Sequence, residues 1–396
     1  MTSRNDVFID VAHYSLNKKG EELCGDKVEV FKSEDRTLIV LADGLGSGVK
    51  ANILATLTSK IAITMLKKGA DIEDVIDTII HTLPVCKVRE IAYATFSIIE
   101  IDKNLRCKIF ESENPPFFFV RNGKIMETEK TIKAFHDKKV WISHLDLIQD
   151  DFVVVCSDGV IHAGVGNILN FGWEWENVAT FLEREGNRNA SQLSQRLIGA
   201  CSDLYCQAPG DDTTVVTVKI RKPLQVMLFT GPPINPLVDE PFIAKFMKME
   251  GKKVVCGGTA ANIVSRVLNY PIKTSLNYVD KDVPPTAFIK DIDLVTEGVL
   301  TLQRTIQLIE SWGKKPESVI TSKSDGATRL FKLMIEESTH IDIWLGKAMN
   351  QAHQNADFPI ELSMKVTVVK ALVEVLRQVG KEVCLHYISE DAYENI

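Results

Sequence analysis

Apolar residues in this chain are grouped in two rhythms, and the change from one to the other falls near residue 222. Up to about residue 220 the strongest segments are "RTLIVLA", "EIAYATFSIIEID", "RCKIFES", "PFFFVRNGKI", "DFVVVCSDG" and "DTTVVTVKI". They are rich in β-branched and aromatic residues, several end at Gly, Pro or Asn-Gly, and they read as strands. "VRNGKI" is a hairpin signal. Helical spacing predicts helices over 48–67, with apolar Ile53, Leu54, Leu57, Ile61 and Met65, then over 72–83 and 190–206. Strands grouped together with helices between the groups predict an α+β layered domain.

Past "IRKPLQVMLF", with its charged residues and Pro223, short apolar strands alternate with amphipathic helices: "LQVMLFTGPP", "KKVVCGGTAANIVSRVL", "IDLVTEGVLTLQRTIQLIESWG", "HIDIWLG" and "LSMKVTVVKALVEVLRQVGKEVCLHYI". That alternation predicts a smaller α/β domain with a largely parallel sheet. The expected domains are 1–221 and 224–396. A length of 396 residues suits two domains.

Composition narrows the function classes. A net charge of −7, with no block of Lys or Arg, argues against nucleic acid or an anionic membrane as partner. No apolar run of signal-peptide or membrane-span length stands out, so a cytoplasmic protein is expected. The eight cysteines show no C-x-x-C pair, which fits reduced thiols, and the histidines show no zinc-protease spacing.

The chemistry begins with "TLIVLADGLGSGVKANILATL", where a strand runs through glycines into a helix. A phosphate cradle would be repelled by the carboxylate of Asp43, whereas a cation would be attracted to it. The spacing G-x-G-x-G is not the dinucleotide fingerprint either. Asp26, Asp43, Asp158 and Asp211 all flank apparent strands, and Asp43 and Asp158 share one grammar, an apolar run followed at once by Asp-Gly. Such a glycine lets a carbonyl or substrate approach where a Cβ would stand. Four gathered carboxylates need divalent cations, and oxygen donors suit Mg or Mn. Each Asp-Gly alone is a common turn, and Asp203 and Asp212 are assigned that structural role.

The ordered set "GEELCGD", "ADGLGSG", "NPPFFFVRNGK", "DFVVVCSDGVIHAG" and "GDDTTVVTV", spanning roughly residues 7 to 220, resembles the stage II sporulation protein E branch of the metal-dependent, protein phosphatase 2C-like serine/threonine phosphatases. The resemblance implies a β-sandwich flanked by helices, with two Mn or Mg ions at one end. It implies that Asp43 and the carbonyl of Gly44 hold metal, that Asp26 helps hold the assembly, and that Asp158 and Asp211 complete the second ion's shell. It further implies attack of a metal-bridging hydroxide on phosphoserine or phosphothreonine of a regulatory protein, commonly an anti-sigma-factor antagonist, with regulation by helix rearrangement or homodimerisation. Eukaryotic members carry a phosphate-binding arginine ahead of the first motif, where this chain has Lys18 and Lys19, so phosphate capture is expected to rest on the metals alone.

Residues 224–396 are expected to be regulatory or ligand-binding. "VVCGGTAAN" sets Gly257, Gly258 and Thr259 between strand and helix, where their N–H groups could form an anion nest or simply make a tight turn. The alternative to an enzyme is a phosphatase-like sensor that has lost catalysis and binds a ligand or partner through this domain.

Overall fold

The computed structural model describes residues 7–82, 94–135, 138–186, 188–274, 284–314, 325–348 and 360–388, and the chain divides into units Met1–Lys222 and Pro223–Ile396.

The first unit is α+β, built on two antiparallel sheets. One has β1 (Phe8–Leu16), β11 (Thr213–Arg221), β10 (Phe152–Cys156), β6 (Phe118–Arg121) and β7 (Lys124–Ile125), in that order. The other runs β2 (Asp26–Lys32), β3 (Arg36–Gly44), β4 (Ala94–Asp102), β5 (Arg106–Ser112), β9 (Lys138–Asp146) and β8 (Lys130–Phe135). Between the sheets lie Ile39, Leu41, Ile99 and Ile109 from one, against Val153, Val155, Val216 and Val218 from the other. The opposite side chains of the same strands pack outward on helices. Leu38 and Val40 meet α1 (Gly48–Lys67) and α2 (Ile72–Thr82). Val154 and Cys156 meet α3 (Asp158–Ile161), α4 (Trp175–Arg184) and α5 (Ala190–Leu204). Strands covered on both faces have no polar alternation, which is why "TLIVLA" and "FVVVC" are continuously apolar.

The hairpin expected at "VRNGKI" pairs Val120 with Ile125 around Asn122 and Gly123, both at positive φ. The strand expected from "EIAYATFSIIEID" begins at Ala94, and residues 90–93, like Cys86, lie outside the described residues. The other cysteines are free thiols.

Helix α1 has the expected span but packs by a different face. Its buried positions are Ala51, Ala55, Thr58, Ser59, Ala62, Ile63 and Leu66, while Ile53 and Leu57 are 52% and 48% exposed. The cause is closeness: a Cβ on Gly44 would stand 2.0 Å from the Ala51 carbonyl oxygen. Only small side chains fit where the helix enters against β3. By length and composition α1 could also cross a membrane, but its small-residue face is committed to this core.

The second unit is an α/β layer. Its sheet runs β14 (Lys273–Thr274), β15 (Ala287–Phe288), β16 (Leu294–Thr296), β13 (Lys252–Cys256), β12 (Gln225–Thr230), β17 (His340–Leu345) and β18 (Glu382–Tyr387); the last five are parallel to one another, and β15 is antiparallel to both its neighbours. Helices α8 (Val299–Lys314), α9 (Gly326–Phe331) and α10 (Ile360–Gln378) cover one face. Helices α6 (Asp239–Lys248) and α7 (Gly258–Leu268) cover the other. The amide of Gly257 donates to the Thr296 carbonyl at 2.9 Å, so it is engaged between strands and is not open to an anion. Thr230 Oγ1 donates to the Cys256 carbonyl at 2.8 Å, tying the neighbouring strand end in the same way.

Candidate metal centre

All four expected aspartates stand at one end of the sandwich, each placed there by a strand terminus. Asp26 opens β2 and Asp43 lies one residue from the end of β3, and the two are direct cross-strand partners. Asp158 follows β10 and opens α3. Asp211 precedes β11, whose start pairs with the end of β10 through Val215 and Cys156.

The glycines after Asp43 and Asp158 are close-approach positions. A Cβ on Gly159 would lie 2.1 Å from the Asp212 carbonyl oxygen, just as one on Gly44 would strike Ala51. The Asp-Gly grammar thus reports backbone packed against the strand end. Tyr205 Oη donates to the Gly159 carbonyl at 2.7 Å, anchoring this turn to the end of α5.

Ser157 joins the two sheets at the site. Its buried Oγ donates to Asp26 Oδ2 at 2.7 Å and accepts from the Thr214 amide at 2.8 Å. The other Asp26 oxygen, Oδ1, is buried and finds no hydrogen-bond donor among the described residues.

Asp212, assigned a structural role from sequence, joins this cluster. It is 4% exposed, its Oδ1 accepts from the Lys18 amide at 3.0 Å, and its Oδ2 is buried without a donor among the described residues. A Cβ on Gly25 would lie 2.8 Å from that oxygen. The doubled aspartate of "GDD" directly before a buried strand was the available signal. Asp203 keeps its structural role, accepting from Gln207 Nε2 at 3.0 Å.

The electrostatics are strained. Burial, then the charges of Asp26, Asp158 and Asp211, push the Asp43 carboxyl far up, to about 9. Asp26 is raised to about 7, first by burial and then by Asp212 and Asp158, with the Ser157 hydroxyl opposing. Asp158 is raised by burial and by Asp211. Lys18 Nζ is 3.4 Å from Asp211 Oδ1, with both side chains substantially exposed. A buried carboxylate without a partner costs several kcal/mol. These groups therefore either hold protons or hold cations, and the donor set, all oxygen and all anionic, fits hard divalent ions. The two orphaned oxygens are where such ions would be met.

Residues 33–221 match the family described as Stage II sporulation protein E (SpoIIE). The Stage II sporulation protein E of Bacillus subtilis (strain 168) is 25% identical over 209 residues, which is 51% of this chain and 24% of that protein. The chain thus aligns with only about a quarter of that relative's length. Among solved structures, the PP2C phosphatase domain with a regulatory fragment of SpoIIE from Bacillus subtilis is 22% identical, with a TM-score of 0.45, over 54% of this chain and 64% of that one. The RsbU and RsbW domains of a Mycobacterium tuberculosis protein are 16% identical, with a TM-score of 0.45, over 61% and 70%.

Proposed function

From the match of residues 33–221 to the stage II sporulation protein E family, we propose that the chain is a PP2C-like phosphatase and a Mn- or Mg-dependent enzyme. Its reaction is hydrolysis of phosphoserine or phosphothreonine on a regulatory protein. The observation that carries this reading is the gathering of Asp26, Asp43, Asp158 and Asp211 at one sandwich end, where burial and then neighbouring carboxylates raise Asp26, Asp43 and Asp158 and a buried Asp26 oxygen lacks a donor among the described residues.

Two divalent ions held by these carboxylates and the Gly44 carbonyl would supply an activated water near neutral pH and Lewis-acid stabilisation of the phosphoryl group. The chain's own residues do the positioning. Ser157 fixes one Asp26 oxygen, and the other, without a donor among the described residues, is the one proposed to meet an ion. Gly44 and Gly159 let the α1 and β11 backbones close on the strand ends, so Asp43 and Asp158 are held by rigid elements. Lys18 places an ammonium group on the rim beside Asp211, in the segment where eukaryotic relatives carry arginine, and there it complements a phosphoester dianion. The proposed substrate is a small phosphorylated regulator of the anti-sigma-factor-antagonist kind, met in the cytoplasm, with homodimerisation as the proposed mode of control. Residues 224–396 are proposed to serve regulation or ligand binding.

The test is hydrolysis of p-nitrophenyl phosphate and of a phosphoserine peptide by the full chain, with and without manganese. Manganese-dependent turnover of both supports the enzyme. No turnover of either, with manganese bound, would favour the catalytically silent sensor.

A further inference from the structure

The second unit carries a cluster that the carboxylate site does not need. On parallel strands β17 and β18, Asp342 faces Cys384, and Trp344 faces His386. Alternation along the strands sets Asp342, Cys384 and His386 on one face. One ligand atom from each lies within 4.8 Å of the others. The geometry points to a binding site for zinc, or a transition metal of similar softness, at the β17–β18 edge of this sheet, on the face that α6 and α7 cover.

Three features favour a metal over a simple ion pair. First, His386 Nε2 and Asp342 Oδ1 are 2.7 Å apart, and the thiol of Cys384, which adds nothing to that pair, stands beside them. Nitrogen, thiolate and carboxylate together are a zinc donor set, with one tetrahedral position left open. Second, both oriented ligands are held from behind. Gln225 Nε2 donates to Asp342 Oδ2, and the Trp344 ring stacks on His386 with centroids 4.3 Å apart and planes 18° apart. Such outer contacts fix ligand geometry before the ion arrives. Third, the site is reachable, since Cys384 is exposed and the His386 side chain is 38% exposed. Bonds of about 2.0 Å to N or O and 2.3 Å to S put tetrahedral ligand atoms roughly 3.3–3.6 Å apart. Rotamer adjustment of about 1 Å reaches that spacing. Metal entry at Nε2 leaves the imidazole as its Nδ1–H tautomer and releases the Cys384 thiol proton.

The inference does not rest on the phosphatase reading. It is tested on the full, reduced chain in excess manganese, which supplies the carboxylates of the first unit, by following alkylation of individual cysteines by mass spectrometry. One equivalent of zinc should slow modification of Cys384 at least tenfold and leave that of Cys206, also exposed, unchanged. His386→Ala and, separately, Asp342→Asn should weaken the protection. Equal alkylation of Cys384 with and without zinc overturns the proposal, as does protection that survives in both variants.

Discussion

The end of the sandwich and the β17–β18 face both gather side chains able to hold a metal, and they differ in how they stand without one. Asp26, Asp43, Asp158 and Asp211 share one sign of charge, Asp26 buried and Asp43 half-buried, and leave the Asp26 Oδ1 atom without a donor among the described residues. Asp342 and His386 satisfy each other, and Cys384 sits exposed beside them. The first group is frustrated as it stands and the second is at rest. A site under repulsion is built around its cation, whereas a satisfied one binds metal by exchanging a hydrogen bond for a bond to the ion. Hard oxygen donors and mixed N, S and O donors should accordingly select different metals.

The largest effect expected is at Asp43. Asp43→Asn should lower manganese-supported hydrolysis by more than about 100-fold, beyond the usual cost of an outer-shell partner, while zinc protection of Cys384 is unchanged. Loss of both together would mean the two clusters are not independent. Next is Ser157→Ala, which removes the hydroxyl linking Asp26 to β11. It should reduce manganese affinity or turnover by about 10–100-fold, with the circular dichroism spectrum retained; an unchanged manganese titration and rate would show that Asp26 is held some other way.

The smallest is a pH effect on stability. Asp26 and Asp43 have carboxyls raised above their unfolded value of 3.8, to about 7 and about 9. The folded metal-free chain therefore binds more protons than the unfolded one across this window, and its stability is fully present below pH 4 for these groups and is lost as pH rises towards 9. The melting temperature of metal-free protein should fall steadily between pH 5 and 9, at about 2–4 °C per kcal/mol for a domain this size. Manganese should flatten or reverse the trend, because the ions replace the protons. A midpoint that rises with pH in metal-free protein would contradict the electrostatic description.

Legibility in the sequence followed burial. Strands covered on both faces, such as β3, β10 and β11, announce themselves as apolar runs, and the Asp-Gly steps at the end of β3 and just after β10 mark where chain meets chain. The strands β8 and β9 escaped notice because one side is wet: Ile132 is 52% and Trp141 41% exposed. β1 and β2 escaped in the same way, with mostly half-buried positions. For α1 the span was readable but the packing face was not, since the large apolar residues suggest one face and the closeness of Gly44 to Ala51 selects another. Asp212 looked like a turn residue because its neighbours in space, Asp26 and Gly25, are far off in sequence. The β17–β18 cluster was invisible for a related reason: its ligands are 42 residues apart from Asp342 to Cys384 and are joined only by strand register.

The central claim is that the sandwich-end carboxylates are a divalent-cation site, and titration of manganese into the metal-free chain, followed by the paramagnetic resonance of free manganese, addresses it most directly. Two equivalents should disappear from the free signal in the wild-type chain, and Asp43→Asn should lose most of that binding. A free signal that rises from the first addition, in a chain whose circular dichroism shows it folded, would contradict the account.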